Sequence, residues 1–417
     1  MTGTAMRLDA RMRDVIRQQV KRHGSFYLYD ERRIHESVDC LASHFPQIDF
    51  LYSIKCNANP HVLRSIFARG LGADAASAAE VRMARAAGVP KDRILYSSPG
   101  KMRSDIARTI RQAVLVADSI EELRRIQNVA AEMNMPVAVG MRINPDFTFH
   151  GDGGLPSKFG IDEEQALAFL RGNDCPNIRV TGIHVHLRSQ ELQADVLAAY
   201  YRRMFRLAEK FSAVCGGLEY VNMGSGMGVR YAVQDTPLNL AALGAALREE
   251  LRGFQTAHPR TACLIEVGRY AVCASGLYVA SVVDRKISRG ITYIILRNTL
   301  NGFLRPSLAR LASRWSRGLP SAAEPLFTCV DACQFFTLDM DAPVERVTLA
   351  GDLCTTADII AEDILLPHVE CGDCVIMTNA GSYAAVLSPM QFSSHERPVE
   401  VFLSTDGTVL QTDLPCA

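Results

Sequence analysis

The chain has 417 residues, 48% hydrophobic and 22% charged, which is the balance of a globular protein and excludes a disordered or collagen-like chain. That length exceeds what a single hydrophobic core serves, so two domains are expected. Lys+Arg and Asp+Glu both number 45, which removes the case for a basic nucleic-acid footprint and leaves self-association unopposed.

At the start of the chain, Met6, Leu8, Met12, Val15, Ile16 and Val20 recur at near-helical spacing between Arg7, Arg11, Arg13 and Arg17. The pattern predicts an amphipathic surface helix within residues 1–24, packed on the second domain. Asp9 and Asp14 count against a transit peptide, and no signal-peptide apolar region stands here.

From residue 49 to 269 one pattern repeats: a short apolar strand, a polar or small tip, then a helical run. The predicted strands are Asp49–Ile54, Leu71–Ala75, Ile94–Ser98, Val114–Asp118, Val137–Asn144, Val180–His186, Leu218–Met223 and Leu264–Arg269. Helical runs such as Ala78–Ala87, Ile120–Met133, Glu163–Arg171 and Asp195–Phe211 lie between them. Such alternation implies parallel pairing with right-handed crossovers. Eight units at this spacing suggest a (β/α)8 barrel over residues 25–269, although an open doubly wound sheet shares the alternation.

After residue 270 the helices give way to the strand-like runs Tyr278–Val283, Thr292–Leu296, Phe327–Val330, Val344–Leu349, Cys374–Thr378 and Val399–Leu403, punctuated by glycines. Residues 270–417 therefore read as a mostly β second domain. Arg310–Arg317 reads as a basic loop with a solvated face. No apolar run reaches the length a bilayer requires, about 18 residues, so no membrane span is expected. Twelve cysteines scattered over so long a chain suit the reducing cytoplasm better than a disulfide scaffold. Cys371 and Cys374 form a C-x-x-C without a second ligand pair, so no metal site is expected.

In a (β/α)8 barrel, reactive groups collect at the C-terminal strand ends. Those ends hold Lys55, Asp74, Arg142, His184, His186, Ser189, Gly224–Gly228, Glu266 and Arg269. Lys55 follows an apolar strand. It is either a rim lysine pointing to water or an amine made nucleophilic by desolvation. The bare backbone of Gly224, Gly226 and Gly228 can approach a phosphate closely, although a tight turn needs glycines too. Arg269 would add a charged donor. Glu266 needs a cation, either a protonated pyridine nitrogen or a barrel arginine such as Arg142. Cys354, in the β domain, reads by itself as a small buried hydrophobe or a catalytic thiol.

A strand-end Lys, a His-x-x-Ser, a glycine loop, Glu-x-Gly-Arg, a Cys-x-x-x-Asp and a Gly-x-Tyr occur in this order. From about Phe26 to Leu403 the chain resembles the group IV amino-acid decarboxylases, which use pyridoxal 5′-phosphate on an alanine-racemase-like barrel. The resemblance implies that Lys55, in Tyr52-Ser53-Ile54-Lys55-Cys56-Asn57, forms the Schiff base with the cofactor. Asp74 and Glu80 match the second-strand motif, and Arg142 joins the cofactor set. His186 matches the histidine that stacks on the ring. Ser189, Gly224, Gly226, Gly228, Arg269 and Tyr383 match phosphate contacts. Glu266 matches the partner of the pyridine nitrogen. Cys354 looks like the acid that protonates the α-carbon, delivered from the other subunit of a homodimer with shared active sites. Arg305 resembles the arginine that binds a substrate carboxylate, and Asp358 falls in the same substrate set.

Three departures bear on the substrate. Thr355 follows the cysteine where decarboxylases of diamino acids have an acid that pairs with the distal ammonium. Losing that bond costs such a substrate about 1.5–3 kcal/mol. Arg188 stands where glycine is usual in His186-Leu187-Arg188-Ser189, and Arg297-Asn298 replaces Asp-Gly. One acid lost and two cations gained predict a distal carboxylate or carbonyl. The Cys-Thr pattern and the segment Tyr293–Arg297 are most similar to decarboxylases of siderophore assembly that act on citryl-diaminopropionate. A related branch acts on glutamyl groups held on a carrier protein, and diaminopimelate, ornithine or lysine remain alternatives. A racemase on the same barrel would place arginine, not Glu266, against the ring nitrogen. A non-catalytic regulator would commonly lack Lys55 or Cys354, and both are kept.

Overall fold

The computed structural model describes residues 8–172, 175–315 and 332–412. The predicted strand Phe327–Val330 lies outside the described residues, as do Met6, Arg7 and the end of the predicted basic loop.

Strands are numbered in chain order. After β1 (Ser25–Asp30), the barrel strands are β2 (Asp49–Ser53), β3 (Gly72–Ala75), β4 (Ile94–Tyr96), β5 (Val114–Ala117) and β6 (Val137–Asn144). A two-residue β7 (Ile161–Asp162) pairs beside β6, and β8 (Ile178–His184), β9 (Tyr220–Asn222) and β10 (Ala262–Val267) complete the set. All pair in parallel. The β2–β10 and β5–β6 ladders close the eight long-range strands into a barrel, which excludes the open sheet. Helices return the chain between strands. Ser77 and Ser119 cap two of them by accepting from the amides of Glu80 and Glu122 at 3.1 Å. Asn59 caps another, whose first residue is Pro60.

One end of the barrel interior is filled by Leu51, Leu95, Val116, Leu264 and the ring of Tyr220. A Cβ on Gly140 or Gly182 would collide with that ring, so two glycines make room for one phenol. The opposite, C-terminal strand ends stay open for chemistry.

The second domain is built on β11 (Gly276–Ser288), β12 (Ile291–Leu296), β13 (Phe335–Phe336), β14 (Val344–Gly351), β15 (Ile359–Pro367), β16 (Cys374–Met377), β17 (Val399–Leu403) and β18 (Val409–Thr412). Its main path runs β15-β14-β12-β11-β1-β17-β18, with β16 and β13 branching from β11. The first boundary is therefore corrected. Ser25–Asp30 is not barrel but sheet, antiparallel to β11 and parallel to β17, because all six of its residues are buried and need ladder partners on both sides. The barrel begins after it, with the helix Glu31–His44.

The N-terminal helix Ala10–Val20 lies on this sheet, with Leu8, Met12, Val15 and Ile16 packed on Phe26, Leu28, Leu277, Val279 and Leu403. The predicted basic loop from Arg310 is corrected as well, since Leu304–Trp315 is a helix. Within it Arg310 is buried and donates through Nε to Glu362 at 2.7 Å rather than facing water. Among the described residues, no helix is long and apolar enough to cross a membrane.

Candidate active site

A cleft of about 670 Å³ opens at the C-terminal strand ends and is bounded by Lys55, Arg142, His186, Glu266, Arg269 and Tyr383, among others. Six predicted residues from four strand ends and the β domain thus share one cavity.

Lys55 follows β2 in a single helical turn, Ile54–Cys56. Its Nζ donates to Asp74 Oδ2 at 2.7 Å. Asp74 is fully buried at the end of β3 and also accepts from Ser53 Oγ at 2.9 Å and Ser97 Oγ at 2.7 Å. Burial by itself would lower the Lys55 ammonium, but Asp74, with Glu266 behind it, outweighs burial and raises it. Desolvation alone therefore does not free this amine, contrary to the sequence-based expectation. The Asp74 contact must be exchanged first.

Glu266, at the end of β10, is 2% exposed and faces the barrel axis. His184 Nε2 lies 3.0 Å from its Oε1, and Asn222 Nδ2 donates to the same oxygen at 2.9 Å. The orientation of Asn222 is fixed, because its Oδ1 accepts from the Gly224 amide at 2.9 Å. Burial would raise the Glu266 carboxyl, but His184 and Lys55 override it and hold the group well below the usual carboxylate range. Arg142 is not its partner. Arg142 lies 3.6 Å from Asp118 and over the ring of Phe159 at 4.3 Å.

His186 sits just beyond β8, where its Nδ1 accepts from the Ser225 amide at 3.1 Å and Ser189 Oγ lies 3.4 Å from its Nε2. Burial, aided by Lys55 and Arg142 and opposed by Glu266, pushes its pKa down to about 4, so the ring is neutral at physiological pH.

The glycine loop divides by role. Gly224 adopts a left-handed backbone (φ +65°), and a Cβ there would collide with Val185 O. The Gly228 amide donates to Glu191 O at 2.9 Å, so Gly228 is corrected from a phosphate donor to a packing glycine. Among the described residues, the amides of Gly226 and Met227 have no protein acceptor. Arg269 is buried and donates through one nitrogen to Tyr231 Oη at 3.0 Å, while its second terminal nitrogen has no partner. Tyr383 reaches the same region from the β domain, its ring 5.3 Å from the Arg269 guanidinium. Its backbone is left-handed (φ +50°) and held by donation to Cys56 O at 2.8 Å.

Other predicted residues fall elsewhere. The Glu80 carboxylate accepts from the Ala76 amide at 2.6 Å and caps its helix. Arg305 is buried in the β domain and donates to the carbonyls of Asn379 and Tyr383, each at 3.0 Å, and of Ser382. Arg297 pairs with Asp352 at 3.1 Å. Asp358 is buried and accepts from Thr299 and from the amides of Leu300 and Leu353. None of these three borders the cleft of its own chain. The same holds for Thr355 and for Cys354, an exposed thiol 3.8 Å from Ser393 Oγ. Of the predicted substrate residues, Arg188 alone lines the cleft. Sequence reasoning missed Ser53, Ser97, Asp118 and Asn222, whose signal is only that they sit at or just past strand ends, and Tyr231, which lies in the loop after β9.

These residues fit pyridoxal phosphate. Two bare amides and an arginine nitrogen without an acceptor suit a phosphate. A strand-end lysine stands ready for an aldehyde, and an ionised buried carboxylate suits a protonated pyridine nitrogen. The comparisons agree. Residues 31–273 match the model of the pyridoxal-dependent decarboxylases, pyridoxal binding domain, and the chain belongs to that family. It is 30% identical over 392 residues to the L-glutamyl-[BtrI acyl-carrier protein] decarboxylase of Niallia circulans, covering 90% of this chain and 88% of that one. It is 27% identical over 380 residues to the diaminopimelate decarboxylase of Bacteroides thetaiotaomicron, covering 87% and 91%. Among solved structures, the fold matches diaminopimelate decarboxylase from M. jannaschii in complex with L-lysine (TM-score 0.83, 22% identity, 95% and 91% covered). It also matches lysine/ornithine decarboxylase from Vibrio vulnificus in complex with putrescine (TM-score 0.75, 24% identity, 96% and 100% covered). The protein is a pyridoxal phosphate-dependent decarboxylase.

Proposed function

We propose that the enzyme removes the α-carboxylate of an amino acid whose distal end bears no free ammonium, and that its substrate class is a glutamyl group held as a thioester on an acyl-carrier protein. Thr355 carries this reading. A hydroxyl after the proton-donating cysteine cannot neutralise a terminal ammonium, and the deficit of about 1.5–3 kcal/mol disfavours free diamino acids. The likeness to the Niallia circulans carrier-protein decarboxylase supports the same choice. The citryl-conjugate reading from sequence rested on the Cys-Thr pattern, the segment Tyr293–Arg297 and three arginines. Arg297 is taken by Asp352 and Arg305 by backbone carbonyls, so of the arginines only Arg188 still argues for it.

When bound, the cofactor supplies an electron sink for the pair released as CO2 leaves. Lys55 would hold it through its amine, and Asp74 would accept from that amine whenever it is free. Glu266 keeps the ring nitrogen protonated. Neutral His186 supports one ring face without adding charge. Arg269, Ser189, Tyr383 and the amides of Gly226 and Met227 hold the phosphate. Cys354, supplied by a second copy of the chain, returns a proton to the α-carbon. The active unit is then a two-fold dimer with two equivalent sites. Mixing Lys55→Ala with Cys354→Ala subunits should restore about a quarter of wild-type activity. No recovery in proven heterodimers would show a site built within one chain. The described cysteines carry no disulfide, which suits a reducing cytoplasm.

The deciding experiment measures CO2 release side by side from a glutamyl carrier-protein thioester, citryl-diaminopropionate, diaminopimelate, ornithine and lysine. The thioester should show the highest kcat/KM. A free diamino acid outperforming every acylated substrate would refute the reading.

A further inference from the structure

Two arginines in the cleft lack a carboxylate partner. Among the described residues, no acid comes within ion-pair distance of Arg269 or of Arg188, whereas Arg142, Arg297 and Arg310 each have one. Arg269 lies by Tyr231 and Tyr383, in the region where the cofactor phosphate fits. Arg188 has none of these neighbours among its contacts and meets His150, in the segment after β6, whose ring lies 5.6 Å from that of Phe149. Among the described residues, its one hydrogen bond is to His150 Nε2, and its Nε is buried without an acceptor. A guanidinium has five donors and binds planar oxyanions in pairs. Imidazole is a weak partner for it, since it offers one lone pair and itself becomes cationic on protonation. An oxyanion between the two would accept from Arg188, and from His150 once its Nε2 carries the proton.

We infer that Arg188 is a specificity-determining residue that, with His150, receives an oxyanion on the distal part of the substrate. The inference rests on the acyl-substrate reading above and extends it. The shared chemistry is a carboxylate or phosphate oxygen pair. In a carrier-bound substrate it is the phosphate of the carrier arm, and in a small conjugate it is a distal carboxylate. A charge-assisted, paired contact of this kind should contribute about 10- to 100-fold in kcat/KM.

The test uses holoenzyme and two matched pairs of substrates. One pair is glutamyl-phosphopantetheine and glutamyl-pantetheine thioester. The other is citryl-diaminopropionate and acetyl-diaminopropionate. Arg188→Ala should reduce the anionic-to-neutral kcat/KM ratio by about 10- to 100-fold in one pair, and that pair identifies the oxyanion. Arg188→Gln, which keeps most of the side chain's bulk, should do the same if the alanine variant fails to fold. Isothermal titration of citrate and of 4′-phosphopantetheine into wild type and variant gives an affinity readout independent of turnover, and the identified anion should lose affinity by a similar factor. An unchanged ratio in both pairs, or an equal loss for all four substrates, overturns the inference. Failure of wild type on both thioesters would overturn the carrier-protein reading, while the citryl pair would still test Arg188.

Discussion

Replacing Glu266 by Gln tests the centre of the site with almost no change in volume. The geometry dictates where the new amide must point. Asn222 Oδ1 is committed to the Gly224 amide, so Asn222 Nδ2 must donate toward residue 266. The glutamine oxygen is drawn to that donor, and its NH2 is left facing the cleft, where Glu266 Oε2 now stands. A donor then confronts the ring nitrogen, which must itself donate when protonated. The carboxylate is held ionised by His184 and Lys55 in a water-poor setting, where one preorganised electrostatic contact is worth about 2.7–4 kcal/mol. Turnover should therefore fall about 100- to 1,000-fold. Cofactor affinity should change far less, because the phosphate contacts proposed for Arg269 and Tyr383 are untouched. Single-turnover CO2 release measures the first effect, and titration of the cofactor absorbance measures the second. A variant that binds cofactor and turns over within tenfold of wild type would refute the role given to Glu266.

The remaining predictions address the scaffold of the cleft. Arg305→Ala should lower Tm and cofactor affinity together, by about 2–3 kcal/mol in stability, because it orphans buried carbonyls that fix Tyr383; a rise in KM confined to carboxylated substrates would instead return Arg305 to the substrate site. Gly224→Ala should lower Tm and weaken cofactor binding, since a Cβ collides with Val185 O in a left-handed backbone, whereas Gly172→Ala, with open space around it, should be neutral in the same melts. His186 makes stability depend on pH. Its folded pKa of about 4 lies below the unfolded value of about 6.5, so the unfolded chain binds more protons between them, and stability should fall as pH drops through that window. Urea midpoints at pH 7, 5.5 and 4.5 should drop less steeply for His186→Gln than for wild type, and parallel slopes would refute the assignment.

The barrel was legible in sequence because each of its strands is enclosed by helices and by the barrel interior. Such strands read as short apolar runs, and their functional tips stand out as polar residues. All eight predicted strands exist, and Val137–Asn144 matches to the residue. The β domain was less legible. Strand β15 was missed because Glu362 and Asp363 interrupt its apolar residues, and both are exposed where the strand faces solvent. Strand β1 was assigned to the wrong domain because its partners, β11 and β17, lie hundreds of residues away. The arginines show the same limit. Arg297 and Arg305 look like free cations in a linear sequence, and only the fold brings Asp352 and the 379–383 carbonyls to them. Arg188 lines the cleft, and among the described residues no acid pairs with it.

That long-range pairing also explains how a barrel enzyme comes to depend on its second domain. Tyr383 enters the cleft only because its left-handed backbone is tied to Cys56 O, directly after Lys55, while Asn57 Nδ2 donates to Gly381 O at 3.0 Å. The segment that carries Tyr383 is anchored in turn by Arg305 and follows β16, which pairs with β11, the strand that β1 binds from the other side. Lys55, Tyr383 and strand β1 therefore belong to one connected set of contacts. Loosening β1 should release Tyr383 before it disturbs the barrel. Cofactor affinity is thus a more sensitive measure of inter-domain packing than barrel stability.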